Sequence, residues 1–309
     1  MGRRRKGRII NGIVLLNKAV GGSSNQVLQH VRRLYNAQKA GHTGALDPLA
    51  SGMLPICLGE ATKFSQFLLD ADKAYEVTAR LGIRTTTSDA DGDVVSERDV
   101  SVDEAQIRSA CASFIGESMQ VPSMFSALKY KGKPLYSYAR EGITVPRDAR
   151  KITVYNLEIN AIALPDIHMT VHCSKGTYIR TIVDDLGEQL GCGAYVTKLH
   201  RTKVAEYPTD KMYAMESLEA IAQQHGETGL DAILLPMDTA VMTLPAYHVG
   251  ASEKVRFQHG QAARVNDIKH KAGQLARLYC DQEAETLFLG VGEVTPAGEI
   301  QPKRVVVYE

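Results

Sequence analysis

The chain has 309 residues, 44% of them apolar and 23% charged, enough for about two domains whose cores need neither disulfides nor metals. A formal net charge of +1 does not by itself mark a nucleic-acid binder, and no apolar run reaches the length of a membrane span. The five cysteines are widely spaced with no C-x-x-C pair, which speaks against a zinc knuckle or redox motif and fits a reducing cytoplasm.

Arg3, Arg4, Arg5, Lys6 and Arg8 form a basic arm before Ile9–Leu16, which reads as a short strand. Asn11 and Gly12 interrupt that apolar run and no clean cleavage site follows, so an export signal is not expected. Ser23 and Gln26 have capping-box spacing, and Val27, Leu28, Val31 and Leu34 continue at helical spacing. Gly41, Gly44, Pro48 and Gly52 make the next segment a loop. Phe64, Phe67, Leu68 and Ala71 predict a second helix, and Tyr75, Val77, Ala79 and Leu81 alternate as on a half-buried strand. Ser88–Gly92 is an acidic turn and Asp103–Phe114 a helix.

From Pro122 to Arg150 there is little periodicity, as in an inserted loop or short-helix region. Ile152–Ala163 and Met169–Cys173 alternate again, and Ile179, Ile182, Val183, Leu186 and Leu190 give a helical stripe ending at Gly191. Val196–Leu199 is read as a strand and Leu218–Leu235 as mixed helix and loop. Pro236 and Pro245 mark a boundary, and the remaining tail carries short β segments. The order is α+β, with mixed, largely antiparallel pairing; it does not alternate regularly enough for a doubly wound sheet.

Charge is unevenly distributed. Between Lys129 and Lys151, seven basic residues (Lys129, Lys131, Lys133, Arg140, Arg147, Arg150, Lys151) face two acidic ones, with Tyr130, Tyr136 and Tyr138 interleaved. Cations neutralise phosphates and aromatic faces stack on unpaired bases. An ordinary solvated loop reads equally well from this segment alone.

Few residues carry the marks of chemistry. Asp47 precedes Pro48, which favours extended backbone at Asp47. A lone Asp-Pro is ordinarily a turn; His42, Thr43 and two flanking glycines make this one a candidate site. Ser174-Lys175-Gly176-Thr177-Tyr178-Ile179-Arg180 leads from a strand into a helix, and in an extended stretch Tyr178 and Arg180 point the same way. An arginine beside a carboxylate keeps it ionised and orients it, although a surface ion pair at a helix entry fits Arg180 too. His168 and His172 have no third ligand at suitable spacing, and Asp89-x-Asp91-Gly92-Asp93 has its glycine in the wrong place for a calcium loop. No metal site is expected. Neither a G-x-S-x-G motif nor a glycine-rich nucleotide fingerprint occurs.

Several separated motifs together resemble the TruB family, the bacterial tRNA pseudouridine-55 synthases. They are Ser23-Ser24-Asn25, the run Ala40-Gly41-His42-Thr43-Gly44-Ala45-Leu46-Asp47-Pro48-Leu49-Ala50-Ser51-Gly52, Leu58-Gly59-Glu60-Ala61-Thr62-Lys63, Lys73-Ala74-Tyr75, Thr87-Ser88-Asp89-Ala90-Asp91-Gly92, Pro122-Ser123-Met124-Phe125-Ser126-Ala127 and Cys173–Arg180. The likeness runs from about Asn11 to Arg201. It implies a pseudouridine-synthase catalytic domain over 1–244, with an RNA-clamping insertion at about 122–151, and a small β-rich PUA-like RNA-binding domain over 245–309.

The resemblance also implies roles. Asp47 is the nucleophile at the ribose, or assists departure of uracil. Arg180 pairs with Asp47 and Asp89. Tyr75 stacks on the flipped base and is placed to take the C5 proton. Tyr178 and Leu199 line the uracil pocket, and His42 fills the space the base leaves. Lys18, Lys129, Lys131 and Lys133 contact RNA. The substrate is the tRNA T-loop. An isomerisation needs no cofactor, and a cytoplasmic monomer acting without guide RNA or membrane is expected. Two departures stand out. The family's Asp-Lys-Pro reads Asn17-Lys18-Ala19, which loosens that turn, and the eight Lys/Arg after residue 250 are matched by eight Asp/Glu. The competing expectation is a T-loop-binding folding factor without chemistry.

Overall fold

The alternating row Tyr75, Val77, Ala79 and Leu81 buries one face of a strand because successive side chains point oppositely. That strand lies near the middle of a large sheet. A computed structural model describes residues 7–282 and 286–308, and in it eight strands form this sheet. They are β1 (Gly12–Lys18), β2 (Ala40–His42), β3 (Ser51–Leu58), β4 (Lys73–Leu81), β5 (Gly116–Gln120), β6 (Arg150–Ala163), β7 (Asp166–Cys173) and β8 (Ala194–Val204). The order is β1-β3-β8-β4-β7-β6-β5, and β2 also pairs with β3. All of these pairings are antiparallel except that of β8 with β3, so the sheet is mixed and largely antiparallel, as the sequence predicts.

One pairing decides where the loop after β2 goes. β1 runs along the whole of one edge of β3, while the other edge is divided. β2 takes its far end, at Ile56–Leu58, and β8 touches only its start, at Ser51 and Gly52. Gly52 has φ +102°, and a Cβ there would collide with the Arg201 carbonyl, so glycine is required for β8 to approach. The chain from Thr43 to Ala50 crosses this split in the edge.

Helices α1 (Ser24–Leu34), α2 (Glu104–Ala112) and α3 (Ile179–Gln189) cover one face of the sheet. Ser23 and Asp103 each make reciprocal capping boxes with Gln26 and Gln106. A cap of this kind contributes about 1 kcal/mol to a helix end. The predicted second helix is a 3-10 turn, Gly59–Phe64, followed by a short α-helix, Ser65–Leu69.

The strand β3 is absent from the sequence-based reading. Seven of its eight residues are buried, so both faces are apolar and alternation vanishes, and Gly52 and Pro55 resemble loop punctuation. The insertion between β5 and β6 is more ordered than expected: a two-residue hairpin pair (Lys129–Tyr130 with Lys133–Pro134), then a helix, Leu135–Arg140, over a small core of Met124, Leu135 and Val145.

The tail forms a five-stranded sheet between Ala246 and Val305. It has its own apolar cluster around Phe257 and Leu278, and it shares a second with the back of β1 and β3. There Ile13, Leu15, Met53 and Cys57 meet Tyr279, Phe288, Val291 and Val306, with the rings of Phe64 and Phe288 5.2 Å apart.

Arg3, Arg4, Arg5 and Lys6 lie outside the described residues. Arg8 is engaged internally: its guanidinium binds Asp231 at 2.6 and 2.7 Å and the Tyr35 carbonyl at 2.9 Å. Among the described residues no helix is long and apolar enough to cross a membrane.

Candidate active site

The loop across the split edge is held by its own backbone and by three side chains. Ala50 N–H donates to the Asp47 carbonyl at 3.1 Å, so Asp47–Ala50 is indeed a turn. Ser24 Oγ, at the start of α1, donates to the Leu46 carbonyl (2.9 Å) and accepts from Leu46 N–H (2.7 Å). Gly21 N–H donates to Pro48 O at 2.7 Å. Lys18 Nζ donates to the carbonyls of Ala50 (2.7 Å), Ala19 (2.9 Å), Asp47 (3.3 Å) and Pro48 (3.4 Å). Arg201 donates to Met53 O at 2.8 Å and Gly44 O at 3.0 Å.

These bonds correct one expectation. Lys18 is 1% exposed and its ammonium is spent on backbone carbonyls, so it does not face RNA. Burial lowers its pKa, with Asp47 opposing. Sequence reasoning missed Arg201 and the part played by Ser24, because their partners are backbone atoms remote in the chain and no residue pattern announces them.

The turn leaves the Asp47 side chain 40% exposed at the rim of a cavity of about 200 Å³. Tyr75 from β4, Leu199 from β8, Ser126 and Ala127 from the insertion, and Thr177–Arg180 at the head of α3 line the same cavity. Tyr178 and Arg180 do not reach it by strand alternation. Tyr178 is the N-cap of α3, with extended backbone, and Arg180 already belongs to the helix.

Arg180 is 5% exposed, and each of its three side-chain nitrogens has a partner. Its Nε contacts Asp47 Oδ2 at 3.0 Å, and its Nη1 lies 3.2 Å from Asp89 Oδ2 and donates to Thr87 O at 3.0 Å. Its Nη2 donates to Phe125 O at 3.0 Å. Asp89 is itself buried and accepts from Thr87 Oγ1 (2.5 Å) and Asp91 N–H (3.1 Å). Two carboxylates thus share one guanidinium. Burial pushes the Asp47 carboxyl above its ordinary value, Arg180 opposes this, and Asp89 and Asp91 add to it. The arginine favours the charged form as expected, but enclosure outweighs it.

Tyr75 is 7% exposed and burial raises its phenol, with Arg201 opposing. Burial also raises the Tyr178 phenol. His42 ends β2, outside the cavity lining. Its buried Nδ1 has no hydrogen-bond partner among the described residues, and burial followed by Arg201 lowers its pKa, favouring neutral imidazole. Lys129, Lys131 and Lys133 lie on the insertion hairpin. Lys129 is exposed, Lys131 sits 5.5 Å from the Tyr130 ring centre, and Lys133 pairs with Glu141 at 2.5 Å and lies 4.7 Å from the Tyr138 ring centre.

Among the described residues no group of three or more His, Cys, Asp or Glu is arranged to hold a metal. The Asp89 side chain serves its own turn and Arg180. His168 bonds Thr78 at 3.0 Å, and His172 packs on Tyr155.

Comparison with known proteins places the chain in a family. A family model for the TruB family pseudouridylate synthase N-terminal domain matches residues 32–179. Models for the tRNA pseudouridylate synthase B C-terminal domain and for the Pseudouridine synthase II TruB C-terminal region match 180–242 and 245–306. The tRNA pseudouridine synthase B of Vibrio cholerae serotype O1 (strain M66-2) is 58% identical over 314 residues, covering 100% of this chain and 99% of that protein. That of Shewanella sp. (strain MR-4) is 56% identical over 313 residues, covering 99% and 98%. Among solved structures, a chain of a Cbf5-Nop10-Gar1 complex superposes with a TM-score of 0.70 at 26% identity, covering 96% of this chain and 84% of that one. A chain of an H/ACA RNP bound to a substrate RNA containing 2'-deoxyuridine gives 0.72 at 24% identity, covering 100% and 92%, and shares the fold. Full-length identity of this order, together with three consecutive family matches, establishes that the chain belongs to the TruB family of pseudouridylate synthases.

Proposed function

We propose that this chain isomerises the T-loop uridine of tRNA, position 55, to pseudouridine, with Asp47 as nucleophile. The observation that carries the reading is the placement of Asp47: a solvent-reachable carboxylate, 3.0 Å from a buried arginine, in the lining of a cavity shared with Tyr75, Tyr178 and Leu199. The names of the relatives, tRNA pseudouridine synthase B, support tRNA as substrate.

The Asp47 carboxylate attacks C1′, or assists departure of the base, as the N1–C1′ bond breaks. Uracil turns within the cavity and C5 bonds to C1′. C5 then loses its proton and N1 gains one, so substrate and product are isomers. Arg180 stabilises the carboxylate and holds it toward the cavity, with Asp89 bracing Arg180 from the other side. Tyr75, Tyr178 and Leu199 supply the walls against which the base turns. The raised Tyr75 phenol favours a neutral stacking wall over a phenolate base. Flipping costs a few kcal/mol, least where a base is already unpaired, as in a loop. Neutral His42 fills the vacated place in the RNA, and Lys129, Lys131 and Lys133 close over the loop with the insertion. The segment 245–309 extends the RNA contact. We read the chain as acting alone, since it covers 99% of a 58%-identical synthase, against 26% identity to the Cbf5 chain.

Incubation of the pure protein with an unmodified tRNA transcript, followed by mapping of pseudouridine, tests this directly. Formation at position 55 by the protein alone is the expected result. Binding without product would favour the folding-factor reading, and product at another position would move the substrate assignment.

A further inference from the structure

One side chain holds both main-chain polar groups of Tyr178. Gln120 is the last residue of β5 and is 6% exposed. Its Oε1 accepts from Tyr178 N–H at 2.8 Å, and its Nε2 donates to the Tyr178 carbonyl at 3.1 Å. A carboxamide carries donor and acceptor on one planar group and so matches a peptide edge. The head of α3 lacks a side-chain cap of its own, so Gln120 fixes the backbone from which Tyr178 and, two residues later, Arg180 project.

The same glutamine stands where the insertion leaves the sheet. It pairs with Arg150, where the insertion returns. The insertion touches the site a second time through Phe125, whose carbonyl accepts from Arg180 Nη2. Its outer part is held by a two-residue hairpin pairing and a small apolar cluster. A displacement of its root therefore has short routes inward: through Gln120 to Tyr178, and through Phe125 to Arg180.

We propose that Gln120 is a positioning residue, which ties the seating of the insertion on RNA to the placement of Tyr178 and Arg180 around Asp47. This rests on the functional reading above. A residue that only seals the end of β5 would contribute to stability and leave the rate of folded enzyme unchanged. A positioning residue sets the rate at near-constant affinity, because misplacing reacting groups by about 1 Å costs about a hundredfold.

The test uses the full chain and an unmodified tRNA transcript, with single-turnover pseudouridine formation, tRNA affinity and thermal unfolding measured for each protein. Gln120→Ala is expected to slow the single-turnover step about a hundredfold while tRNA affinity stays within about threefold. Gln120→Glu is nearly isosteric and keeps the acceptor for Tyr178 N–H but loses the donor to its carbonyl. Burial raises a carboxyl's pKa, and the protonated acid regains that donor. The ratio of the Glu variant's rate to the parent's therefore rises as pH falls. The charged groups facing Tyr178 are Arg150, Arg180 and Asp47. The ratio is read above the Asp47 limb of both profiles, because an anion at position 120 raises the Asp47 pKa and shifts that limb. If Gln120→Ala does not fold, the Glu variant carries the test. Parental rates in the variants that fold, or a ratio that stays flat with pH while only the melting temperature drops, would overturn the assignment. A parent protein that binds tRNA and makes no pseudouridine would instead overturn the functional reading.

Discussion

The Asp47 loop and the insertion at 121–149 both reach the same cavity, and they are built in opposite ways. The loop crosses a split in a central sheet, and its carbonyls at Gly44, Leu46, Asp47, Pro48 and Ala50 each accept from a side chain or a backbone N–H. The insertion hangs from one strand pair and packs around Met124, Leu135 and Val145. On the proposed reading Asp47 is a nucleophile, and a nucleophile must stand within a fraction of an ångström of its target, which an over-determined backbone secures. A surface that grips a phosphate backbone works through charge and accommodates small misfits, so it needs less fixing.

Asp47→Asn should break the comparison most severely. Pseudouridine formation should be abolished while tRNA affinity stays within about tenfold, or about 1.4 kcal/mol, since the grip lies elsewhere. Single-turnover assays with parallel filter binding decide it; turnover at the parent rate would remove Asp47 from the chemistry. Next comes Lys18→Met. Leaving buried carbonyls unsatisfied costs about 1–3 kcal/mol, visible as a lower denaturation midpoint. Because those carbonyls belong to the Asp47 turn, the rate should fall with little change in tRNA affinity.

The pH profile sharpens the electrostatic side. Asp47 acts as a carboxylate, and burial holds its proton to a higher pH than in an ordinary aspartate. Activity should therefore rise with pH through a value above the ordinary 3.8. Arg180 is the largest influence favouring ionisation, so Arg180→Met should move that limb further up, beyond any loss at the plateau. An unmoved limb would show that the pair does not set the titration.

The smallest effects belong to the insertion. Each phosphate left without its cation should reduce the slope of log affinity against log salt by about 0.7–0.9. Lys129→Ala and Lys131→Ala should approach that value. Lys133→Ala should fall short of it, because Lys133 already spends charge on Glu141. An unchanged slope in the triple variant would take the hairpin out of the interface.

Local signals in the sequence carried much of the fold. The capping box at Ser23 and the alternation from Tyr75 to Leu81 each report a periodicity or cap formed by near neighbours in the chain. β3 stayed hidden because burial on both faces erases alternation, and Pro55 reads as a breaker. Asp47 stood out through its glycines and its proline, and the turn reading and the site reading turn out to be compatible: the turn is what presents the carboxylate. The expectation of an RNA contact at Lys18 came with the family resemblance, and only the fold brings four carbonyls to its ammonium. Arg201 and Gln120 were invisible for the same reason, since a bond to a distant backbone group leaves no trace in spacing.

β3 is a single beam loaded from two sides. Its front edge begins at the Asp47 turn, while Met53 and Cys57 on its back belong to the apolar seam with the C-terminal sheet. The Met53 carbonyl is also where Arg201 takes hold. Tail and Asp47 turn thus lean on one strand, since Phe288 and Val291 pack in the same apolar cluster as Met53 and Cys57. Cavity-forming substitutions in that inner seam therefore load the strand that carries the Asp47 turn, whereas substitutions on the tail's outer surface do not.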